Sequence, residues 1–129
     1  MTYVAIVVAL ALVEYLLFAL AVGRARGQYG VKAPATTGHE IFERHYRVHE
    51  NTLEQLVVFL PAIYLFAAYV SGPIAALLGL AFVVGRAVYA RSYVADPEKR
   101  TAGFLIGYLA NAVMLLGGLF GALWKALAG

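Results

Sequence analysis

One short stretch of this sequence carries polar side chains at helical spacing directly before an apolar run. The segment FERHYRVHENTLEQLVVFLPAIYLF contains Arg44, Arg47, Asn51 and Glu54, at spacings of three, four and three residues. On an α-helix these side chains form one polar stripe, and the residues after Gln55 are nearly all apolar. Charge at the mouth of a membrane helix is costly and by default indicates a functional site. The stripe is therefore the first candidate binding surface.

A second polar set lies further along the chain. Arg86, Tyr89 and Tyr93 fall at spacings of three and four, and Arg100 follows seven residues later, across a short polar turn. Guanidinium groups bind carboxylates as forks, a carboxylate binds an amine, and tyrosines add hydroxyls. The two sets together predict a site for a small anionic, zwitterionic peptide. The alternative is that the tyrosines form an aromatic belt and the arginines extend to lipid headgroups.

The composition is that of an integral membrane protein. Of 129 residues, 63% are hydrophobic and 13% are charged, whereas soluble domains are nearer half apolar and a quarter charged. The chain has no cysteine, so any thiol chemistry needs a thiol that a ligand brings in. The net charge of +3 does not indicate a nucleic-acid partner, because the basic residues are not gathered into a soluble domain. Their placement is typical of signals that orient a membrane protein.

Four apolar segments are long enough to cross a hydrocarbon core of about 30 Å. They lie at about 2–22, 40–70, 74–93 and 101–127, and a polar loop is predicted from Gly23 to His39. The other connections are short. This pattern predicts an all-α fold, in which one domain over residues 1–129 forms an antiparallel four-helix membrane bundle.

The basic residues predict how the bundle is oriented. Nine of the ten lie around the first and third connections, and only Lys125 lies near the C-terminus. Cytoplasmic connections carry the excess of lysine and arginine in membrane proteins. We therefore expect connections one and three and the polar stripe on the cytoplasmic side, and both termini on the opposite side.

The remaining titratable residues have simpler interpretations. His45 and His49 are four residues apart, but no third ligand is near them and the basic stripe would repel a cation, so we expect no metal site. Glu14 interrupts the first span and is expected to pair with a residue of another helix. The alternative for Glu14 is a proton relay, as in a small multidrug-type transporter.

The two polar segments resemble one known family. FERHYRVHENTLEQ is similar to the second-helix signature of the MAPEG proteins, membrane-associated proteins in eicosanoid and glutathione metabolism. The segment from Gly85 to Arg100, which ends in YARSYVADPEKR, is similar to the end of their third helix. Within the family, the resemblance is to microsomal glutathione transferases and leukotriene-C synthases. It implies a MAPEG-like transmembrane domain that assembles as a homotrimer and binds glutathione, as a co-substrate, between neighbouring subunits.

The resemblance also implies roles for individual residues. Arg100 would be catalytic, since a guanidinium lowers the pKa of a nearby thiol and would stabilise the glutathione thiolate. The implied glutathione-binding residues are Arg26, Arg47, Asn51, Glu54, Arg86, Tyr89 and Tyr93. Arg24 is an alternative to Arg26 as the arginine at the end of the first helix, and Arg86 lies in or beside the site.

The implied function is a glutathione-dependent transferase, with peroxidase activity as an extension, acting on lipophilic electrophiles or hydroperoxides from the bilayer. Gly27 stands where leukotriene-C synthases have an arginine proposed to assist an epoxide oxygen, which weakens the case for epoxide opening. Gln55 stands where they have a tyrosine. The alternative is a non-catalytic family member that binds membrane lipids and presents them, and the arginine at position 100 argues against it.

Overall fold

Helices account for almost the whole chain. The computed structural model describes residues 1–129. Its helices are α1 (Thr2–Tyr29), α2 (Glu40–Tyr69), α3 (Gly72–Ala95) and α4 (Thr101–Ala128), and a short 3₁₀ helix (Pro97–Arg100) leads into α4. All four α-helices are long and apolar enough to cross a membrane. The predicted all-α architecture of four membrane-length helices is confirmed.

The first helix is longer than the sequence predicts. The polar loop expected from Gly23 begins only at Gly30, so the prediction is wrong over residues 23–29. Arginine, alanine and glutamine are good helix formers, and they outweigh the glycines at positions 23 and 27. The helix ends where Gly30 adopts a left-handed conformation (φ 69°) and donates its N–H to the Arg26 carbonyl, a common way to terminate a helix. As a result α1 carries Arg26 beyond its apolar segment.

Helices α2 and α3 form the centre of the bundle, and α1 and α4 pack against this pair from opposite sides. Phe59 of α2 stacks on Phe82 of α3, with ring centroids 4.1 Å apart. Ile63, one turn further along α2, lies against Gly79, one turn back along α3. The two central helices are therefore antiparallel, and their buried apolar side chains form the main core.

Glycines bring α3 and α4 into close contact near the polar end of the bundle. A Cβ at Gly103 would overlap the backbone of Tyr89, and one at Gly85 would lie 2.9 Å from the backbone nitrogen of Gly107. Small residues allow membrane helices to approach closely. This approach fixes the beginning of α4, and the Arg100 side chain that precedes it, against the end of α3.

Candidate functional site

A pocket opens where α2, α3 and the start of α4 meet. Its volume is about 410 Å³, which is within the range of small-molecule sites. Five of its residues belong to the sets predicted from the sequence, and three more come from α4. The lining consists of Arg47, Asn51, Tyr89, Tyr93, Arg100, Thr101, Phe104 and Leu105. The polar stripe on α2 and the polar set on α3 therefore share one cavity.

The charge of this pocket is positive. Arg47 and Arg100 are its charged residues, and no acidic side chain is part of the lining. Arg47 Nη1 pairs with Glu50 at 2.7 Å, and Arg100 Nη1 donates to the Pro97 carbonyl at 2.9 Å. Each guanidinium makes no other hydrogen bond within the protein, so most of its five N–H groups are available. The pocket is thus equipped to bind an anionic ligand through two guanidinium groups.

Aromatic rings form the remaining wall of the pocket. Tyr89 and Tyr93 stack with centroids 5.5 Å apart, and the Phe104 ring lies 6.4 Å from that of Tyr89 at an angle of 51°. Leu105 continues this wall along α4. The pocket therefore combines a basic side, suited to an anion, with an apolar side, suited to a hydrocarbon or aryl group.

Arg86 lies behind the pocket and is fully buried. Its Nη2 donates to Asn51 Oδ1 at 2.8 Å and to Thr52 Oγ1 at 3.0 Å. Its guanidinium also lies 4.3 Å from the centre of the Tyr89 ring, at cation–π distance. Arg86 thus orients the Asn51 amide by its oxygen, and the NH₂ group of Asn51, which makes no hydrogen bond within the chain, is available to a ligand. Arg86 therefore contacts two lining residues but does not line the pocket itself.

Besides Arg86, two of the predicted binding residues, Glu54 and Arg26, do not line the pocket of a single chain. Glu54 is exposed on the surface of α2. Arg26 Nη1 donates to the Ala35 carbonyl at 2.7 Å, and its guanidinium lies 4.8 Å from the centre of the Phe42 ring. Its alternative, Arg24, is exposed on α1. The structure of one chain therefore does not bring these three residues together with the other five.

Arg44, the remaining member of the stripe, has a structural explanation. Its Nη1 donates to the Val94 carbonyl at 3.0 Å, and its Nη2 pairs with Glu40 at 2.6 Å. The last carbonyls of a helix lack intrahelical partners and carry partial negative charge, so a cation stabilises them. Arg44 ties the beginning of α2 to the end of α3, immediately beside the pocket.

Sequence reasoning missed the α4 side of the pocket. Thr101, Phe104 and Leu105 follow Arg100 by one, four and five residues, so they lie on one side of the helix. This spacing is the only signal in the sequence. It does not single these residues out, because each is also ordinary in a membrane span.

The histidines contact other parts of the bundle. His49 stacks on Tyr15 of α1, with centroids 4.5 Å apart. His39 Nδ1 accepts the backbone N–H of Ile41 and so caps the beginning of α2. No group of three His, Cys, Asp or Glu side chains is placed to hold a metal ion.

Four helices long and apolar enough to cross a membrane, with a basic pocket between them at one end, are typical of a multi-pass membrane protein. The MAPEG family model matches residues 4–120, and the chain belongs to that family. The family relationship inferred from the two motifs is thereby confirmed.

Three relatives show how the chain is placed within the family. It is 49% identical over 121 residues to an uncharacterised protein of Synechocystis, covering 94% of this chain and 88% of that protein. It is 36% identical over 104 residues to microsomal glutathione S-transferase 2 of Homo sapiens, covering 81% of this chain and 71% of the relative. It is also 36% identical over 85 residues to leukotriene C4 synthase of Cavia porcellus, covering 66% and 57% respectively.

Proposed function

We propose that this protein is a membrane-embedded glutathione-dependent transferase, which binds glutathione in the basic pocket and activates its thiol as a thiolate. The observation that carries the proposal is the meeting of five predicted residues in one cavity: Arg47, Asn51, Tyr89, Tyr93 and Arg100. One of the similar proteins, that of Homo sapiens, is a microsomal glutathione S-transferase by name, which supports glutathione as the ligand. The absence of cysteine fits a reaction in which the ligand brings the thiol.

The binding part of the site is assigned to α2. The Arg47 guanidinium binds a carboxylate of the tripeptide, and the NH₂ group of Asn51, held by Arg86 at its oxygen, donates a further hydrogen bond. Charge-assisted hydrogen bonds of this kind are about twice as strong as neutral ones. Tyr89 and Tyr93 supply hydroxyl groups and a ring surface along the other side of the peptide.

The chemical part of the site is assigned to Arg100. A free thiol has a pKa of ~8.5, so only a few per cent is thiolate at neutral pH. A guanidinium beside the sulfur lowers that pKa, because it favours the charged form. The thiolate then attacks an electrophilic carbon, a carbon–sulfur bond forms, and the leaving group departs with its bonding electrons.

Peroxide reduction uses the same thiolate. The sulfur attacks the terminal oxygen of a lipid hydroperoxide, the O–O bond breaks, and the lipid alcohol leaves after taking up a proton. The sulfenic acid formed on the first glutathione condenses with a second glutathione to give the disulfide and water. Phe104 and Leu105 line the apolar side of the pocket, which suits lipophilic acceptors in both reactions.

The assembly that we propose is a homotrimer, with the pocket on the cytoplasmic side. Glu54 is exposed on α2 between Leu53, 49% exposed, and Val57, 67% exposed. A carboxylate that faces lipid is expensive, and a second copy of the chain against this face would remove that cost. In such an assembly, Glu54 and Arg26 would complete a glutathione site between subunits, and the positive-inside rule supports the orientation.

Binding of reduced glutathione to the detergent-solubilised protein tests the proposal. We expect saturable binding by calorimetry and conjugation of a lipophilic aryl halide. Arg47→Ala should weaken binding about tenfold or more, as expected for a lost hydrogen bond to a charged group. Arg91→Ala is the matched control, since Arg91 is exposed on the same end of the bundle and outside the pocket. No binding to the native protein at millimolar glutathione would refute the proposal.

A second candidate function, non-catalytic lipid presentation, is favoured by a different groove. On the α1 side of the central helices, a groove of about 400 Å³ is lined mostly by apolar residues, among them Phe18, Val48 and Ala90. Such a groove suits an acyl chain. Turnover of the aryl halide distinguishes the candidates, because a lipid-presenting protein would bind a lipid without forming a glutathione conjugate.

A further inference from the structure

Glu14 is the only charged residue in the apolar part of α1, and the proposed function gives it no role. Its Oε1 atom is buried and has no hydrogen-bond partner. Carboxylates inside membrane helices are costly and normally face another polar group within the bundle. The position of Glu14 therefore requires a specific partner.

Helix packing brings Glu14 level with Arg86. Val7 of α1 lies against Gly79 of α3, so closely that a Cβ on this glycine would be 2.7 Å from Val7 Cγ1. Glu14 and Arg86 each follow these contact residues by seven positions, which is about two helical turns. Because α1 and α3 run in the same direction, the two charged side chains reach the same level of the bundle.

The next turn supports this register. Phe18 and Ala90 each lie four residues beyond the charged pair and line one common groove, together with His45 of α2. One turn back along the chain from Phe18, Tyr15 stacks on His49 of α2. Glu14 therefore lies one helical turn from the groove, on the side of α1 that faces the central helices.

Arg86 has both a buried charge and unused donors. Its Nη2 is bound by Asn51 and Thr52, but its Nε and Nη1 are buried without a partner. Glu54, the carboxylate of the stripe on α2, is exposed, whereas the Oε1 atom of Glu14 is buried. A buried cation without a counter-charge is strongly destabilising. Glu14 is the carboxylate within the bundle that can balance it.

We propose that Glu14 is a positioning residue for the glutathione site, acting through Arg86 on Asn51. The inference rests on the proposed function. No ion pair joins Glu14 to Arg86, so the Glu14 carboxylate, on the α1 side, acts on the buried Arg86 guanidinium by its charge rather than by a direct contact. Arg86 in turn holds the Asn51 oxygen, which leaves the NH₂ group of Asn51 directed to the pocket on the α4 side. The proposed coupling thus crosses the bundle, by charge from Glu14 to Arg86 and by the hydrogen bond from Arg86 to Asn51 at the ligand site.

Glu14→Gln tests this inference, because it removes the charge and keeps the shape of the side chain. We expect the dissociation constant for reduced glutathione to rise about tenfold, the effect of losing one well-placed hydrogen bond to the ligand. Asn51→Ala should have a similar effect. In the Asn51→Ala background, Glu14→Gln should change the dissociation constant less than about twofold, since interacting residues are non-additive.

A buried polar substitution elsewhere in the bundle is the control for a merely structural effect. Asn111 Nδ2 donates to the Gln55 carbonyl at 3.2 Å, and Asn111 lies outside the pocket. Asn111→Leu should lower the melting temperature and leave the dissociation constant unchanged. An unchanged dissociation constant in Glu14→Gln, or an equal rise with and without Asn51, would overturn the inference.

If Glu14→Gln alone does not fold, the double variant Glu14→Gln/Arg86→Gln removes both buried charges. It should bind glutathione as weakly as Asn51→Ala, and native affinity in this variant would overturn the inference. Failure of the native protein to bind glutathione would instead refute the proposed function itself. The two failures are therefore distinguishable in one set of titrations.

Discussion

Replacing Arg100 by alanine is expected to remove thiolate formation and to leave most glutathione binding in place. Arg100 Nη1 is held by the Pro97 carbonyl at 2.9 Å, within a 3₁₀ helix that begins with an Asp96 side-chain cap on Glu98 N–H. The guanidinium is therefore positioned before any ligand arrives. Arg47, on α2, keeps its own donors and can still bind a carboxylate when Arg100 is absent.

The size of the effect follows from the ionisation of the thiol. A free thiol of pKa ~8.5 is ~3% thiolate at pH 7. A cation within hydrogen-bonding reach lowers the pKa of an acid by roughly 1 to 3. The middle of that range brings the thiol pKa to ~6.5, so that ~75% of the bound glutathione is in the thiolate form at pH 7. Arg100→Ala should therefore reduce the thiolate fraction, and the conjugation rate at neutral pH, by ~25-fold, corresponding to about 2 kcal/mol.

The conjugation rate should depend on pH differently in the native protein and in Arg100→Ala. Because Arg100 favours the thiolate, the native rate should level off in mildly acidic solution, whereas the rate of the variant should continue to rise up to the ordinary thiol pKa of ~8.5. Ultraviolet absorbance of the bound thiolate and calorimetric binding measure the two quantities separately. Arg100→Lys should retain part of the thiolate, and Lys99→Ala, an exposed neighbour, should behave as the native protein. A variant without Arg100 that keeps the native thiolate absorbance would refute this reasoning.

Three further substitutions test the pocket and its supports. Phe104→Ala should raise KM for a lipophilic acceptor several-fold while the dissociation constant for glutathione stays constant, and an equal rise in both would contradict an acceptor-facing role. Arg44→Ala should lower the melting temperature, with a loss of about 1–2 kcal/mol, because the Val94 carbonyl loses its donor; an unchanged melting temperature would argue against this role. Gly103→Val should destabilise the bundle by about 1–3 kcal/mol or more, since even a Cβ there overlaps the Tyr89 backbone, and native stability would contradict the close approach of α3 and α4.

The stripe on α2 shows how much the sequence predicts about the site. Helical spacing places Arg44, Arg47 and Asn51 on one side of a helix, and in the structure all three belong to α2. Their environments nevertheless differ. Arg47 lines the pocket, Arg44 binds carbonyls at the end of α3, and the oxygen of Asn51 is occupied by Arg86. Spacing is a local property and does not determine which distant residue each side chain meets.

The same limit explains the other differences between prediction and structure. The sequence indicates that Arg86 and Tyr89 share a side of α3, but it does not show that the arginine is buried behind the pocket. It also does not reveal Phe104, whose contribution depends on how closely α4 approaches α3. For Glu54, the exposed position follows from the packing of α2 in one chain, which no pattern within α2 specifies.

By itself, the sequence determined that the chain forms four membrane-length helices, that it offers no thiol of its own, and that polar groups collect at one end of the bundle. Hydropathy and helical period act within single helices, so they are readable without neighbours. Tertiary structure alone decided which arginines are available to a ligand. Arg44 meets its carbonyl partner 50 residues away, and Arg86 meets Asn51 35 residues away, whereas Arg47 and Arg100 keep free donors in the pocket. Burial and hydrogen-bond partners arise between helices, and only the packed bundle specifies them.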